Sequence, residues 1–140
     1  MALKVLLADD DNIAVFLQKI IILESRLADD LVTFTNGQEM IDFLDKEENP
    51  EDFYLIFLDI NMPVMGGIEF LELINEKFYA NRVLVALVSS YSMIKDHEIA
   101  TKYPQVITVY EKPVTTETCN MILNLPQVRS FVSGSTFEGN

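Results

Sequence analysis

At 140 residues, 49% of them hydrophobic, the chain has the length of one domain and enough apolar material for one continuous core. Its 22 acidic and 10 basic residues leave a formal net charge of −12, which argues against direct binding to nucleic acid or to an anionic membrane, where clustered Lys and Arg are needed. The single cysteine, Cys119, excludes an internal disulfide. No apolar run approaches the roughly 20 residues of a membrane span, and Lys4 sits inside a strand-like run with no cleavage site after it, so no signal-peptide pattern is present and the cytoplasm is the expected location.

The apolar pattern alternates in period along the chain. "LKVLLA" at 3–8 is a nearly continuous apolar run, as expected of a strand covered on both faces. Residues 12–25 switch to helical spacing, with Ile13, Phe16, Leu17, Ile20 and Ile21 on the stripe by which an amphipathic helix meets a core. "LVTF" at 31–34 is a second strand. "TNGQEMIDFLDK" is a turn and a helix with Met40, Ile41 and Leu44 facing inward. "FYLIFL" at 53–58 is the third strand, 67–77 the third helix, 82–88 the fourth strand and 93–102 a weaker helix. A fifth strand at 105–110 and a final helix at 115–124 follow. Residues 125–140 carry a proline, serines and glycines and are expected to form a short tail, loosely docked or disordered, after a domain spanning 2–124.

Five strands alternating with five helices imply βαβ units and a parallel sheet. Right-handed crossovers narrow this to a doubly wound α/β sheet, whose crevice lies outside the carboxyl ends of the strands. Asp9 and Asp10 follow the first strand, Asp59 ends the third, Ser89 follows the fourth and Lys112 follows the fifth. All five therefore fall at one edge.

Three carboxylates at one edge repel one another, and a divalent cation removes the conflict. Mg²⁺ prefers oxygen ligands and binds beside phosphate. A lysine adds a point charge for an anion, and a serine adds a hydroxyl donor. The set suits stabilisation of a phosphoryl group, with a carboxylate able to serve as nucleophile. Asp11 or Asn12 is expected to cap the first helix, and Cys119, at helical spacing with Ile122 and Leu123, to lie in the core.

In "LADDDN", "LDINMPVMGG", "VSS" and "EKP", in that order, the chain resembles the receiver domain of bacterial two-component response regulators over about residues 2–124. The resemblance implies a flavodoxin-like (βα)5 fold with strand order 2-1-3-4-5. It implies Asp59 as phosphoacceptor, Lys112 as contact to the phosphoryl group, and Mg²⁺ or Mn²⁺ held by Asp9, Asp10, Asp59 and the Asn61 backbone carbonyl. Ser89 would be the switch hydroxyl, and Asn61 and Tyr91 would tune the lifetime of the aspartyl phosphate. Asp11, just past the acidic pair, is left out of the site.

The chain departs from the family three residues before the lysine, where an aromatic switch residue is usual and Val109 stands instead. Tyr110 is one position later, and strand alternation turns it to the opposite face, so the coupling of Ser89 to this position is expected to be weakened or rerouted. Gly66 replaces an acid of the family's turn.

The implied function is that of a single-domain response regulator, similar to chemotaxis regulators. It would take its phosphoryl group from a sensor histidine kinase or a histidine phosphotransfer protein and signal by protein contact. No output module is expected after the domain, so a target protein would bind the face formed by the fourth helix, fifth strand and fifth helix. The alternative is a receiver fold that binds partners without phosphate. A phosphatase of the haloacid dehalogenase type would want a second Asp two residues after Asp59, where Asn61 stands. No metabolic substrate is expected.

Overall fold

The computed structural model describes residues 2–28, 30–47, 49–89 and 93–131, excluding the side chains of Ser89 and of 93–97. Strands β1 (Leu3–Ala8), β2 (Leu31–Phe34), β3 (Phe53–Asp59), β4 (Val83–Ser89) and β5 (Val106–Glu111) form one sheet in the order β2-β1-β3-β4-β5. Every pairing is parallel. The helices are α1 (Asn12–Glu24), α2 (Gly37–Lys46), α3 (Gly67–Ile74), α4 (Met93–Lys102) and α5 (Thr116–Leu123). The doubly wound architecture is the one expected from the alternating periods, and the strand order is the one the family resemblance implies.

The strands are apolar on both faces because helices cover both. On one face Leu6, Ile56, Leu58, Val85 and Leu87 pack with Met40 and Leu44 of α2 and Phe70, Leu71 and Ile74 of α3. On the other, Val5, Leu7, Leu55, Phe57 and Val88 meet Ile22 of α1 and Cys119 and Ile122 of α5. Burying a leucine- or phenylalanine-sized side chain stabilises a fold by about 1.5–3 kcal/mol, so this double layer is the dominant favourable contribution. Caps define the helix starts: Asp11 accepts from the amides of Ile13 and Ala14, Asn36 from Glu39, and Thr115 from Thr118.

Helix α1 turns the other way from the expected stripe. Ile13, Phe16 and Leu17 are 73%, 63% and 53% exposed, Ile20 is exposed and Ile21 half-buried, while Gln18 and Ile22 are buried. Of its 13 residues only Asn12, Gln18, Lys19 and Glu24 are polar, so apolar periodicity scarcely distinguishes one face from another. The face is chosen instead by Gln18, whose amide finds partners inside the protein.

Two other differences are local. The third helix ends at Ile74, and turns and a 3-10 segment (Ala80–Arg82) lead into β4. A further short helix, α6, spans 126–131, where a loosely docked or disordered tail was expected. Pro126 opens it, a position where a missing N–H does no harm. Val128 is fully buried against the α1/α5 side of the core, and the Phe131 ring meets that of Phe53 in a tilted contact at 4.8 Å. Residues 132–140 lie outside the described residues.

Candidate phosphoacceptor and metal site

The register brings the carboxyl ends of the strands level: Ala8 pairs with Leu58, Asp59 with Val88, and Ser89 with Glu111. Parallel strands that end together deliver whatever follows them to one edge. Ligand oxygens of Asp9, Asp10 and Asp59 accordingly lie within 4.8 Å of one another. Asp9 and Asp59 are buried, and Asp10 is exposed at the mouth.

Lys112 joins them from the end of β5, next to a cis peptide between Lys112 and Pro113. Its Nζ lies 2.9 Å from Asp9 Oδ2 and 3.2 Å from Asp59 Oδ2, so one ammonium bridges two buried carboxylates. Burial, reinforced by the Asp9 charge, pushes the Asp59 carboxyl up. The hydrogen bond and charge of Lys112 and the Asn61 N–H offset only part of that rise. For Lys112, burial lowers the pKa, but hydrogen bonds to Asp9 and Asp59 outweigh it and leave the ammonium held above its ordinary range. The site is thus acid-rich and incompletely neutralised by its own lysine, the condition under which a hard cation with oxygen preference fits.

The β3–α3 turn sets the Asp59 backbone. The Asn61 N–H donates to Asp59 Oδ1 at 3.4 Å, and the Gly67 N–H donates to the Ile60 carbonyl at 2.8 Å. A Cβ on Gly67 would stand 2.6 Å from the Asp59 carbonyl oxygen and 2.9 Å from Ile60 Cα, so only glycine permits this approach. Val64 in the same turn has φ 67°, a left-handed conformation that is strained for a β-branched residue. An open hollow beside the acids is bordered by Asp10, Asn61, Met62, Gly66 and Glu69.

Val109 and Tyr110 sit on opposite faces of β5. Val109 pairs with Leu87 and packs on the α2/α3 side, whereas Tyr110 pairs with Val88 and meets the Phe57 ring edge-on at 6.1 Å on the α1/α5 side. A register shift after Val85 matters here: Val85 faces Val106, but Ala86 faces Thr108. An unbroken ladder would have placed Tyr110 opposite Ser89. The Ser89 side chain and Tyr91 lie outside the described residues.

Gln18 was missed in the sequence. Its Nε2 donates to Asp9 Oδ2 at 3.1 Å, and its Oε1 accepts from the Tyr110 hydroxyl at 3.5 Å, all within the buried interior. The available signal was a glutamine flanked by Ala14 and Ile22 four residues to either side, a polar group on a face that must be buried if the outward stripe is not. Gly67 carried no signal beyond its place in a turn, because the close approach it permits is tertiary.

A doubly wound sheet with clustered acids and a bridging lysine at its carboxyl edge defines a class of α/β protein whose site lies outside the strand ends. The response regulator receiver domain model matches residues 5–123, and the chain belongs to that family. Among solved structures, a two-component response regulator from Cytophaga hutchinsonii is 29% identical with a TM-score of 0.78, covering 91% of this chain and 97% of that one. A response regulator receiver protein from Dyadobacter fermentans is 27% identical with a TM-score of 0.74, over 86% and 94% of the two chains. A chemotaxis response regulator of Vibrio cholerae, at 19% identity and a TM-score of 0.67 over 88% and 97%, shares the fold. No curated protein matches the chain. Among the described residues no helix is long and apolar enough to cross a membrane.

Proposed function

We propose that this receiver accepts a phosphoryl group on Asp59 from the phosphohistidine of a sensor kinase or phosphotransfer protein, and signals by protein contact. The observation that carries the reading is the cluster itself: three carboxylates within 4.8 Å, two of them bridged by Lys112. A carboxylate oxygen of Asp59 attacks phosphorus, the P–N bond to the donor imidazole breaks with its electron pair going to that nitrogen, and the ring leaves as neutral imidazole because its other nitrogen already carries a proton. Lys112, already beside Asp59 Oδ2, neutralises charge on the transferred group. Asp9 and Asp10, with Asp59 and the Asn61 carbonyl, are the groups that would hold Mg²⁺, which when bound screens the acids and the incoming phosphate from each other.

The donor must bring its histidine to this edge. The outward apolar face of α1 borders the site through a groove lined by Ile13, Leu17, Lys112 and Pro113, and gives a donor protein a surface to rest on. Output leaves through another face, for which the α4–β5–α5 side remains our assignment. Ser89 completes the reading as the switch hydroxyl, with Asn61 and Tyr91 tuning phosphate lifetime. With Val109 at the usual aromatic position, we assign no inward-swinging ring to this switch.

Intact mass after incubation with a small phosphodonor and Mg²⁺ tests the proposal. One phosphoryl group should be gained by the wild type, and by neither Asp59→Asn nor a sample with excess EDTA. No transfer from either a small donor or a phosphorylated histidine protein would instead favour a receiver that binds partners without phosphate.

A further inference from the structure

Gln18 stands outside the receiver's reacting groups, yet it is buried on α1 with both ends of its amide engaged. The orientation of that amide follows from its partners. Asp9 as a carboxylate only accepts, so it takes the NH2 end, and the carbonyl end is left to the Tyr110 hydroxyl, which donates. The chain of contacts runs from Tyr110 through Gln18 to Asp9, and onward through Lys112 to Asp59. Asp9 Oδ1 is itself held by the Asp11 N–H at 3.0 Å, so both of its oxygens are tethered.

We propose that Gln18 is a positioning residue for the metal-binding acids: it fixes the rotation of the Asp9 carboxylate, and Tyr110 fixes Gln18. The inference rests on the proposal that Asp9 and Asp10 bind Mg²⁺. Three features favour it over simple packing. A glutamine at 3% exposure between Ala14 and Ile22 is a poor choice for filling apolar space, since burying an amide is unfavourable without partners. Its partner oxygen belongs to the acid cluster and not to backbone. The phenol brought to this face by the register shift in β5 directs its hydroxyl at the amide, which gives the carbonyl end of Gln18 a partner in the interior. Outer partners that orient ligating carboxylates commonly change metal affinity by about 10- to 100-fold when removed.

The test is Mg²⁺ binding by calorimetry on the full chain, compared among wild type, Gln18→Met, Tyr110→Phe and the double variant. Methionine keeps the volume and removes the amide. Gln18→Met should bind Mg²⁺ about tenfold more weakly. Tyr110→Phe should weaken binding by a smaller factor, and the double variant should be no weaker than Gln18→Met alone, because both act through one chain of contacts. Binding by Gln18→Met within about twofold of wild type would overturn the inference while leaving the metal site intact. If Gln18→Met does not fold, unchanged affinity in Tyr110→Phe overturns it equally. No Mg²⁺ binding by the wild type would remove the metal reading and this inference together.

Discussion

The Lys112 ammonium reaches Asp59 Oδ2 at 3.2 Å across 53 residues of sequence, and at the same time contacts Asp9. One cation therefore holds together two buried acids contributed by the ends of β1 and β3. It does so from the end of β5, two strands away from β3, which makes the lysine a structural clamp between the two acids.

Removing the clamp should be costly. Lys112→Met leaves Asp9 and Asp59 buried side by side, and stability at neutral pH should fall by about 2 kcal/mol, below the range for fully buried pairs because the lysine is partly exposed. Urea unfolding measures it. The loss should shrink in an Asp59→Asn background, where only one acid needs the lysine, and an unchanged loss there would argue against a shared clamp.

The raised Asp59 pKa carries its own signature. Burial and Asp9 let the folded protein hold this proton to higher pH than the unfolded chain does. Between the two pKa values unfolding releases a proton, so stability falls as pH rises through that window. Asp59→Asn lacks the group, and without metal it should be more stable than wild type at neutral pH. The advantage should close as pH falls below the ordinary carboxylate value of about 4. Equal unfolding midpoints at neutral pH would contradict the shift.

Gly67→Ala asks whether the turn beneath Asp59 can move. The added Cβ meets backbone at 2.6 Å, which no rotamer relieves. Destabilisation of about 1–3 kcal/mol is expected from such overpacking, together with a slower gain of phosphoryl mass. A variant with wild-type midpoint and rate would show that the turn is softer than its contacts imply.

Val64 predicts the opposite sign. Its left-handed φ is strained for a β-branched side chain, and the residue is 79% exposed, so it loses little packing when replaced. Val64→Asn should stabilise the protein by about 1 kcal/mol, read as a higher unfolding midpoint.

On α1 the two faces should separate cleanly. Phe16→Ser, on the outward side, should alter stability by no more than about 0.5 kcal/mol. Ile22→Ala, on the buried side, should cost about 2–5 kcal/mol. Comparable losses at both positions would mean that the outward stripe is covered in the free protein.

The amino-acid sequence by itself determined the alternation of strand and helix, and with it the edge at which Asp9, Asp10, Asp59 and Lys112 gather. That much is legible because apolar runs mark the strands, and in a parallel sheet the residue after each strand has one place to go. Asp11 could likewise be read as a cap, since capping is local. Tertiary structure decided the rest. The inward face of α1 was ambiguous because nearly every position is apolar, and it was settled by the partners Gln18 finds in Asp9 and Tyr110. The residue opposite Tyr110, Val88 and not Ser89, depended on a one-residue register shift, and in a structure of period two such a shift exchanges one face of the sheet for the other. The bridging of Asp9 and Asp59 by Lys112, the room left by Gly67 and the docking of α6 through Val128 are all contacts between segments distant in sequence. No local pattern encodes them, because each exists only once the sheet has brought its edges together.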